Sequence, residues 1–229
     1  MSERYERNIG AITQTEQDLL AKKRVLIAGC GGLGAYAAEA LARIGLGYLT
    51  LIDGDVFVPS NLNRQLNSLE SNLGKSKALE AKKRLGQVRT DLSVEAIQIF
   101  LNEENASDLL KGHDLIIDAL DNVKSRLLIE KTASGLGIPL VHGAVEGWNL
   151  QVSVIFPGDL TLSMLYPEDY EPPRPSILPF APAVCANIQA AEAVKVMLNK
   201  DCILRKKLLV IDMRDNSFEI IELMGGIIG

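Results

Sequence analysis

The sequence predicts an α/β protein with a doubly wound, mostly parallel sheet, helices on both faces and antiparallel strands near the C-terminus. Three observations support this fold class. A glycine cluster joins a short apolar segment to an alanine-rich helical segment within residues 23–53. Apolar and amphipathic runs then alternate as far as residue 145, as in parallel sheets with crossover helices. Residues 206–223 have the pattern of two strands joined by a turn.

The N-terminal part of the chain predicts a helix and then a strand, turn, helix, strand unit. Thr13 and Glu16 have the spacing of a capping box, so we expect a short amphipathic helix before the first strand. The apolar segments on either side of the glycine cluster and alanine-rich stretch are short enough for buried strands. Residues 23–53 therefore form the predicted beginning of the sheet.

The same alternation continues along the rest of the chain. Predicted elements follow in this order: helix 76–88, strand 92–100, strand 114–120, helix 123–137, strand 138–145, strand 149–156, helix 184–200 and hairpin 206–223. The prolines between residues 157 and 184 prevent a long helix there. We interpret this segment as an irregular crossing loop and a candidate lid.

A single domain is expected over residues 1–229. With 47% hydrophobic and 23% charged residues, the composition is that of a globular protein with one large core. We divide the domain into four parts by the pattern of its elements. These are the N-terminal arginine segment and helix (1–22), the core with the glycine cluster (23–156), the crossing loop (157–184) and the C-terminal helix and hairpin (185–229).

Charge and cysteine content exclude several kinds of protein. The net charge of -5 provides no general attraction for nucleic acid or an anionic membrane, so we expect neither as a partner. Neither a signal peptide nor a membrane-spanning run is evident, which predicts a cytoplasmic location. Cys30, Cys185 and Cys202 form no CxxC pair and are expected to be reduced thiols.

The glycine cluster predicts a nucleotide site of the Rossmann-like type. Gly29, Gly31 and Gly34 match GxGxxG between a strand and a helix, where the backbone can approach phosphates at a helix N-terminus. Asp53 ends the next strand, where a carboxylate can bind ribose hydroxyls. This pattern alone fits NAD, FAD or ATP, or a tight turn without a ligand.

A polar cluster after the second strand favours ATP. Asn61, Asn63, Arg64 and Gln65 follow Asp53 closely, and an oxidoreductase has no evident use for them. Arginine clamps phosphate oxygens with several donors, while the amides orient oxygens. Lys77 begins the next helix, where a cation opposes the helix dipole and needs another reason to be present. A solvated surface lysine is the alternative.

The motif DALDN places two aspartates at the carboxyl end of a buried strand. Asp118 and Asp121 lie at the edge where open sheets bind ligands, and an aspartate there can hold Mg²⁺. Capping of the next helix is the alternative for Asp121 and Asn122. Arg126, one helical turn further, can pair with a carboxylate for structural reasons alone.

The remaining cysteines and histidines are expected to be structural. Cys185 stands at the apparent start of a helix, where the dipole could lower its pKa, but its apolar neighbours favour burial. We expect Cys30 to contribute packing and Cys202 to lie in a loop. His113 and His142 are too far apart in sequence to predict a catalytic pair.

Four ordered motifs, GCGGLG, DGDVFVPSNLNRQ, GKSK and DALDN, resemble the ThiF/MoeB/HesA family of ubiquitin-activating-enzyme-like adenylyltransferases. The resemblance covers residues 4–156 and, weakly, the helix near Gln189. It implies that ATP binds beside the glycine loop and that Asp121 holds Mg²⁺. The implied nucleotide-binding residues are Gly29, Gly31, Gly32, Gly34, Asp53, Asp55, Asn61, Arg64, Gln65, Lys77, Asp121 and Asn122.

The same resemblance implies a partner and a chemical reaction. Catalysis would rest on Arg7, Arg64, Lys77 and Asp121, with Arg7 reaching the phosphates of the neighbouring subunit of a homodimer. The acylated substrate would be the C-terminal glycine carboxylate of a small ubiquitin-like sulfur carrier, as in thiamine or molybdopterin biosynthesis. Zinc-containing members carry two CxxC pairs, whereas the corresponding stretch here is TLSMLYPE, so no structural zinc is expected.

Three other functions remain open from the sequence. The chain could activate a small-molecule or tRNA-borne carboxylate by the same chemistry. It could instead be an NAD- or FAD-dependent oxidoreductase, or a nucleotide-binding protein without enzymatic activity. The terminal MGGIIG contains a diglycine but does not end in one, so the chain itself is not expected to be a carrier.

Overall fold

The computed structural model describes residues 3–167 and 176–223. The helices are α1 (Gln14–Leu20), α2 (Gly32–Ile44), α3 (Lys77–Val88), α4 (Ala106–Leu110), α5 (Val123–Leu136), α6 (Thr161–Leu165) and α7 (Phe180–Met197). The strands are β1 (Arg24–Ala28), β2 (Tyr48–Ile52), β3 (Ser93–Ile97), β4 (Leu115–Asp118), β5 (Leu140–Glu146), β6 (Asn149–Ile155), β7 (Lys207–Asp212) and β8 (Ser217–Glu222). Short 3-10 turns cover Glu3–Asn8, Pro59–Asn61 and Glu70–Asn72.

All eight strands form one sheet, in the order β3-β2-β1-β4-β5-β6-β7-β8. The first five in this order pair in parallel, and β6, β7 and β8 are added in antiparallel pairs. The predicted fold class is therefore confirmed. Because the chain moves outward from β1 to β3 and then returns to β4, the carboxyl ends of β1 and β4 flank the crevice where such sheets bind ligands.

The apolar core has one layer on each face of the sheet. Val25 and Ile27 of β1 face one layer with α2, α3 and α7, whereas Leu26 faces the other with α4 and α5. Alanines in α2 and α7 allow these two helices to approach each other closely. Gln189 of α7 donates to the carbonyls of Asp118 and Val141 at 2.8 and 3.2 Å, which ties α7 to the sheet beneath the crevice.

Most elements agree with the sequence prediction, including the capping box of α1. Thr13 Oγ1 accepts from the backbone N–H of Glu16 at 3.2 Å, and the Glu16 carboxylate accepts from the N–H of Thr13 at 2.8 Å. The short helix α4 was not predicted, since five residues are too few for a periodic pattern.

The segment 157–184 differs from its prediction in two respects. It contains the short helix α6, and α7 begins at Phe180, four residues before the predicted start at Val184. Pro182 is compatible with this earlier start because it lies in the first turn, where backbone N–H groups have no intrahelical acceptor. Residues 168–175 of the predicted lid and the terminal MGGIIG lie outside the described residues.

Candidate active site

A cleft of about 470 Å³ lies at the carboxyl ends of β1, β2, β4 and β5. It gathers most of the side chains and glycines that the sequence predicts for nucleotide binding. Those that line it are Gly29, Gly31, Gly32, Asp53, Asp55, Arg64, Gln65, Lys77, Asp121 and Asn122. Gly34, Asn61 and Arg7 do not line it.

The glycine loop between β1 and α2 is shaped by close backbone packing. Gly29 has φ of 95°, and a Cβ there would lie 2.5 Å from the carbonyl oxygen of Ala119. Gly34 lies behind the loop, where a Cβ would be 1.8 Å from the carbonyl oxygen of Gly29. Gly31 and Gly32 bring the N-terminus of α2 to the cleft, so free amides and the positive end of the helix dipole lie at that space.

Asp53 organises this loop from the end of β2. Its carboxylate accepts from the backbone N–H groups of Cys30 at 2.7 Å and Asp55 at 2.8 Å. Burial raises the pKa of Asp53, while these hydrogen bonds and the nearby Lys77 act in the opposite direction. Because each carboxylate oxygen can accept more than one hydrogen bond, Asp53 can hold the loop and still receive ribose hydroxyls.

Lys77 is a nearly buried cation at the first position of α3. Its side chain is only 9% exposed, and Nζ lies 2.9 Å from the carboxylate of Asp55. Both residues line the cleft, and the Asp55 side chain is half exposed there. The alternative of a solvated surface lysine therefore does not describe this residue.

Arg64 and Gln65 lie side by side next to the glycine loop. Arg64 Nη1 donates to the Ser60 carbonyl at 2.8 Å and to Asn63 Oδ1 at 2.9 Å, which holds the guanidinium at the cleft. Gln65 is buried, its Nε2 faces Gly31, and its Oε1 has no hydrogen-bond partner among the described residues. A buried amide oxygen without a partner is costly.

Asn61 has a structural role in the same segment. Its Oδ1 accepts from the N–H of Val58 at 3.1 Å and closes the 3-10 turn that precedes Arg64. The side chain is buried and lies outside the cleft lining. Asn61 thus positions the turn, and direct contact with a nucleotide stays a prediction without geometric support.

The two aspartates of DALDN have different environments. Asp121 is exposed at the cleft, whereas Asp118 is fully buried and is not among the residues that line it. Asn122 caps α5, since its Oδ1 accepts from the N–H of Ser125 at 2.9 Å. The capping alternative thus holds for Asn122, and Asp121 is the carboxylate of this motif that a cleft ligand can reach.

A buried polar network lies at the floor of the cleft and was missed from the sequence. His142 Nδ1 is 2.7 Å from the Asp118 carboxylate, and both side chains are fully buried. Burial lowers the pKa of His142, although Asp118 opposes that effect. Beyond His142 lie Gln151 and Tyr166, each 3.3 Å from Nε2. These residues come from separate elements, so no sequence spacing could have revealed the contact.

Arg126 joins this network and confirms the suggested pairing with a carboxylate. Its Nε lies 3.8 Å from Asp118, and Nη2 donates to the carbonyl of Leu120 at 2.8 Å. His113, in contrast, packs between the Leu110 carbonyl and the Thr50 hydroxyl, away from the cleft. The expectation that His113 is structural agrees with these contacts.

An apolar wall on one side of the cleft was also not predicted. Ile99, Phe100 and Leu101 follow β3 and line the space beside Asp53. Phe100 is 65% exposed, and Gly54 leaves room for its ring, since a Cβ there would lie 2.5 Å from Phe100 Cγ. An exposed aromatic ring at a cleft is suited to stacking against a nucleobase. Phe100 was predicted as the last residue of strand 92–100, but the strand ends at Ile97, so the position of its ring at the cleft was not foreseen.

The cysteines are explained by burial and exposure. Cys185 lies in the second turn of α7, not at its start, because the helix begins at Phe180. Burial raises its pKa to about 12, so the suggestion of a dipole-activated thiolate is wrong. Cys30 is buried under the glycine loop, with its pKa raised for the same reason, and Cys202 is exposed. The preference for burial of Cys185 and packing of Cys30 is confirmed.

Two further properties concern metals and membranes. Within residues 3–167 and 176–223, no group of three or more His, Cys, Asp or Glu side chains is arranged to hold a metal ion. In the same ranges, no helix combines the length and apolar character needed to span a bilayer.

Arg7 lies apart from the cleft. It is exposed near the end of the 3-10 turn Glu3–Asn8, and it is not among the residues that line the cleft of its own chain.

The family model described as the ThiF family matches residues 5–225, so the chain belongs to the ThiF family. Among curated relatives, the SAMP-activating enzyme E1 of Haloferax volcanii is 34% identical over 227 residues, covering 96% of this chain and 84% of the relative. The sulfur carrier protein adenylyltransferase of Thermus thermophilus is 35% identical over 217 residues, covering 88% of this chain and 79% of the relative. The molybdopterin-synthase adenylyltransferase of Haemophilus influenzae is 33% identical over 217 residues, covering 91% of this chain and 89% of the relative.

Solved structures share the same fold. Escherichia coli MccB with ATP superposes with a TM-score of 0.85 at 21% identity, covering all of this chain and 73% of MccB. The structure of PaaA gives a TM-score of 0.81 at 22% identity, covering 97% of this chain and 82% of PaaA. The named relatives are adenylyltransferases or activating enzymes, and none of these names favours the oxidoreductase alternative.

Proposed function

We propose that this protein uses ATP to adenylate the C-terminal glycine carboxylate of a small ubiquitin-like sulfur-carrier protein, releasing pyrophosphate. One observation carries the proposal. The free amides of the α2 N-terminus, the guanidinium of Arg64 and the nearly buried Lys77 cation all lie at one cleft. That arrangement suits a triphosphate. The functions named for the relatives in Haloferax and Thermus support a sulfur-carrier protein as the acceptor of the adenylyl group.

The nucleotide would lie with its base against Phe100 and its ribose at Asp53. Its phosphates would run past Gly31 and Gly32 toward Arg64 and Lys77. Lys77 would then exchange part of its interaction with Asp55 for phosphate oxygens, because both charges line the same cleft. The NAD and FAD alternatives leave Arg64 and Lys77 without an equivalent role.

The reaction itself requires positioning and neutralisation of charge. One oxygen of the glycine carboxylate attacks the α-phosphorus, a new P–O bond forms, and the bond to the β-phosphate breaks, releasing pyrophosphate. A carboxylate is already a nucleophile at neutral pH, so no general base is needed. Arg64 and Lys77 would bind the negative charge that moves onto the leaving pyrophosphate.

Asp121 is the residue we propose for Mg²⁺. The donor set fits, because Mg²⁺ in nucleotide sites is commonly held by one or two carboxylates together with phosphate oxygens, and Asp121 is exposed at the cleft. When bound, Mg²⁺ would neutralise phosphate charge. No structural zinc is proposed, in agreement with the absence of CxxC pairs.

A homodimer is proposed as the working form. Arg7 is exposed and outside the cleft of its own chain, so a role at the phosphates requires another subunit to supply it. The need for ATP and the three cysteines expected to be reduced are consistent with work in the cytoplasm.

The test is exchange of labelled pyrophosphate into ATP, with magnesium and a carrier protein ending in Gly-Gly. We expect exchange only when the carrier is present, and none with a carrier that lacks its terminal glycine. Absence of exchange with every Gly-Gly carrier from the same genome would refute the proposal. Exchange supported by a small carboxylic acid or by tRNA would favour the second substrate class. Tightly bound NAD or FAD in the purified protein would favour an oxidoreductase, and ATP binding without any turnover would favour a non-enzymatic protein.

A further inference from the structure

The cleft extends beyond the proposed nucleotide site toward β5, β6 and α6. This second part is lined by Ala144 and Glu146 of β5, Asn149 and Gln151 of β6, and Tyr166 directly after α6. None of the four sequence motifs that resemble the family includes these residues. The polar network of Asp118 and His142 reaches the cleft here through Gln151 and Tyr166.

The hydrogen bonds of Asp118 fix the state of His142. Asp118 Oδ1 accepts from the N–H of Leu120 at 3.0 Å, and the guanidinium of Arg126 lies 3.8 Å from Oδ2. Both contacts use the Asp118 oxygens as acceptors. His142 Nδ1 must therefore donate to Asp118, which leaves Nε2 of a neutral imidazole as an acceptor.

Two donors compete for that single acceptor. Gln151 Nε2 and Tyr166 Oη are both 3.3 Å from His142 Nε2, and Gln151 Nε2 also donates to Tyr166 Oη. Since Gln151 can donate to His142 with its other amide hydrogen, the Tyr166 proton can turn away without leaving the imidazole unpaired. Arg126 Nη1, 3.5 Å from Tyr166 Oη, adds a second donor to the same oxygen.

The remaining direction for the Tyr166 proton is the cleft. With Gln151 and Arg126 donating to it, Oη is filled as an acceptor and becomes a better donor toward a ligand. Burial raises the pKa of Tyr166, so the hydroxyl keeps its proton at neutral pH.

The position of Tyr166 is fixed by a buried carboxylate. Glu130 of α5 accepts from the backbone N–H groups of Leu162 and Ser163 at 2.6 and 3.0 Å, and from the Ser163 hydroxyl at 2.8 Å. These bonds cap the N-terminus of α6 and attach it to α5. Tyr166 is the first residue after α6, so its position depends on this anchored helix. The centre of its ring lies 5.5 Å from Arg126 Cζ.

We propose that Tyr166 donates a hydrogen bond to the carboxylate of the peptide substrate and holds one oxygen while the other attacks the α-phosphorus. This inference rests on the proposed function and assigns Tyr166 as a catalytic residue of that site. Gln151 acts as a positioning residue, because it releases the Tyr166 proton from His142.

The main test compares wild type with Tyr166→Phe in pyrophosphate exchange at saturating ATP and varied carrier. Because a hydrogen bond to a charged group contributes substantially, we expect kcat/KM for the carrier to fall roughly 10- to 100-fold. The KM for ATP should stay within about twofold, as the nucleotide contacts are unchanged. Tyr48→Phe is the matched control, since Tyr48 lies at the opposite end of the sheet and is 40% exposed.

A binding experiment tests the same contact without turnover. Wild type should bind a carrier with a terminal carboxylate more tightly than the same carrier with a terminal carboxamide, and Tyr166→Phe should reduce that difference at an unchanged melting temperature. Equal discrimination by both proteins would overturn the proposal.

Gln151→Met provides an independent variant if Tyr166→Phe does not fold. It should also lower kcat/KM for the carrier, because the Tyr166 proton then stays on His142. In the Tyr166→Phe background it should have no further effect, whereas additive losses would show a merely structural role and overturn the assignment.

The two proposals fail in different ways. Wild type that shows no exchange with any carrier overturns the proposed function and, with it, the role of Tyr166. Active wild type with an equally active Tyr166→Phe overturns the role of Tyr166 alone.

Discussion

Gly34 packs against Gly29 so closely that a Cβ at position 34 would lie 1.8 Å from the Gly29 carbonyl oxygen. This contact joins the first turn of α2 to the end of β1, and it sets the path of the loop that we propose for phosphates. The requirement for glycine is therefore steric and independent of any ligand.

Gly34→Ala is expected to abolish ATP binding and to destabilise the fold, because backbone and not a flexible side chain would have to move. Equilibrium dialysis with ATP and thermal unfolding measure the two effects. Gly86→Ala in α3 is the control, since a Cβ there meets nothing within 4 Å. It should raise the free energy of unfolding by about 0.5–1 kcal/mol. ATP binding that survives in Gly34→Ala would contradict the proposed phosphate path.

Arg64→Ala should lower the rate of pyrophosphate exchange by about 10²- to 10³-fold, as expected on removing one donor that stabilises transition-state charge. Arg64→Lys should recover little, because lysine lacks the planar set of donors. Exchange kinetics at saturating carrier measure both. Arg43→Ala is the control, as Arg43 pairs with Glu39 on the surface of α2. An Arg64→Ala enzyme with full activity would remove this residue from the site.

Arg7 and Arg64 should complement each other in mixed dimers. Arg7→Ala and Arg64→Ala are each expected to be inactive alone. If Arg7 acts in the neighbouring subunit, randomly reassorted dimers should regain about a quarter of wild-type activity, since half are mixed and each has one intact site. Activity assays after co-expression, with the mixed dimer isolated by two affinity tags, provide the measurement. No recovery in the mixed dimer would argue that Arg7 does not act across subunits.

Cys185 should behave as an inert thiol. Its pKa of about 12, caused mainly by burial, leaves almost no thiolate at neutral pH. Alkylation followed by mass spectrometry should modify the exposed Cys202 in the native protein, and Cys30 and Cys185 only after unfolding. Cys185→Ala should retain pyrophosphate exchange. Rapid labelling of Cys185 in the folded protein would be inconsistent with its buried position.

Glu16 should make a pH-dependent contribution to stability. Lys200 and the backbone of Thr13 lower its pKa from 4.5 to about 2. A carboxylate with a lowered pKa stabilises the fold above its unfolded pKa, and that contribution disappears as the pH falls from about 4.5 toward 2. Melting temperatures of wild type and Glu16→Gln should therefore differ at pH 7 and converge on acidification. Glutamine keeps a side-chain acceptor for the capping box, so wild type and Glu16→Gln should differ only through the charge. A difference in melting temperature that does not depend on pH would show that the substitution acts through the cap instead.

Much of the fold was predictable because local signals agreed with the tertiary structure. The GxGxxG turn, the apolar runs of β1, β2 and β4 and the capping box of Thr13 each need only neighbouring residues to be recognised. The start of α7 was misjudged because Pro182 was taken to exclude a helix, although a first-turn position tolerates it.

The candidate site was predictable where its residues follow strand ends. Arg64, Gln65, Lys77 and Asp121 were expected together because carboxyl ends of parallel strands meet at one edge, and they do line one cleft. Their roles stay predictions. Asp118 was expected at this edge and His142 was expected to be structural. The network that joins them to Tyr166 was missed, because it is created by the pairing of β4 with β5 and by the return of α6, which no spacing encodes.

The contact between Lys77 and Asp55 has a consequence for selectivity. An anion entering the cleft must compete with a carboxylate that already satisfies the lysine, so monovalent ions and nucleoside monophosphates gain little from displacing it. A triphosphate carries more negative charge than these anions and competes better with Asp55 for Lys77. Under the proposed function, this competition for Lys77 makes the cleft selective for ATP over the weaker anions that surround the protein.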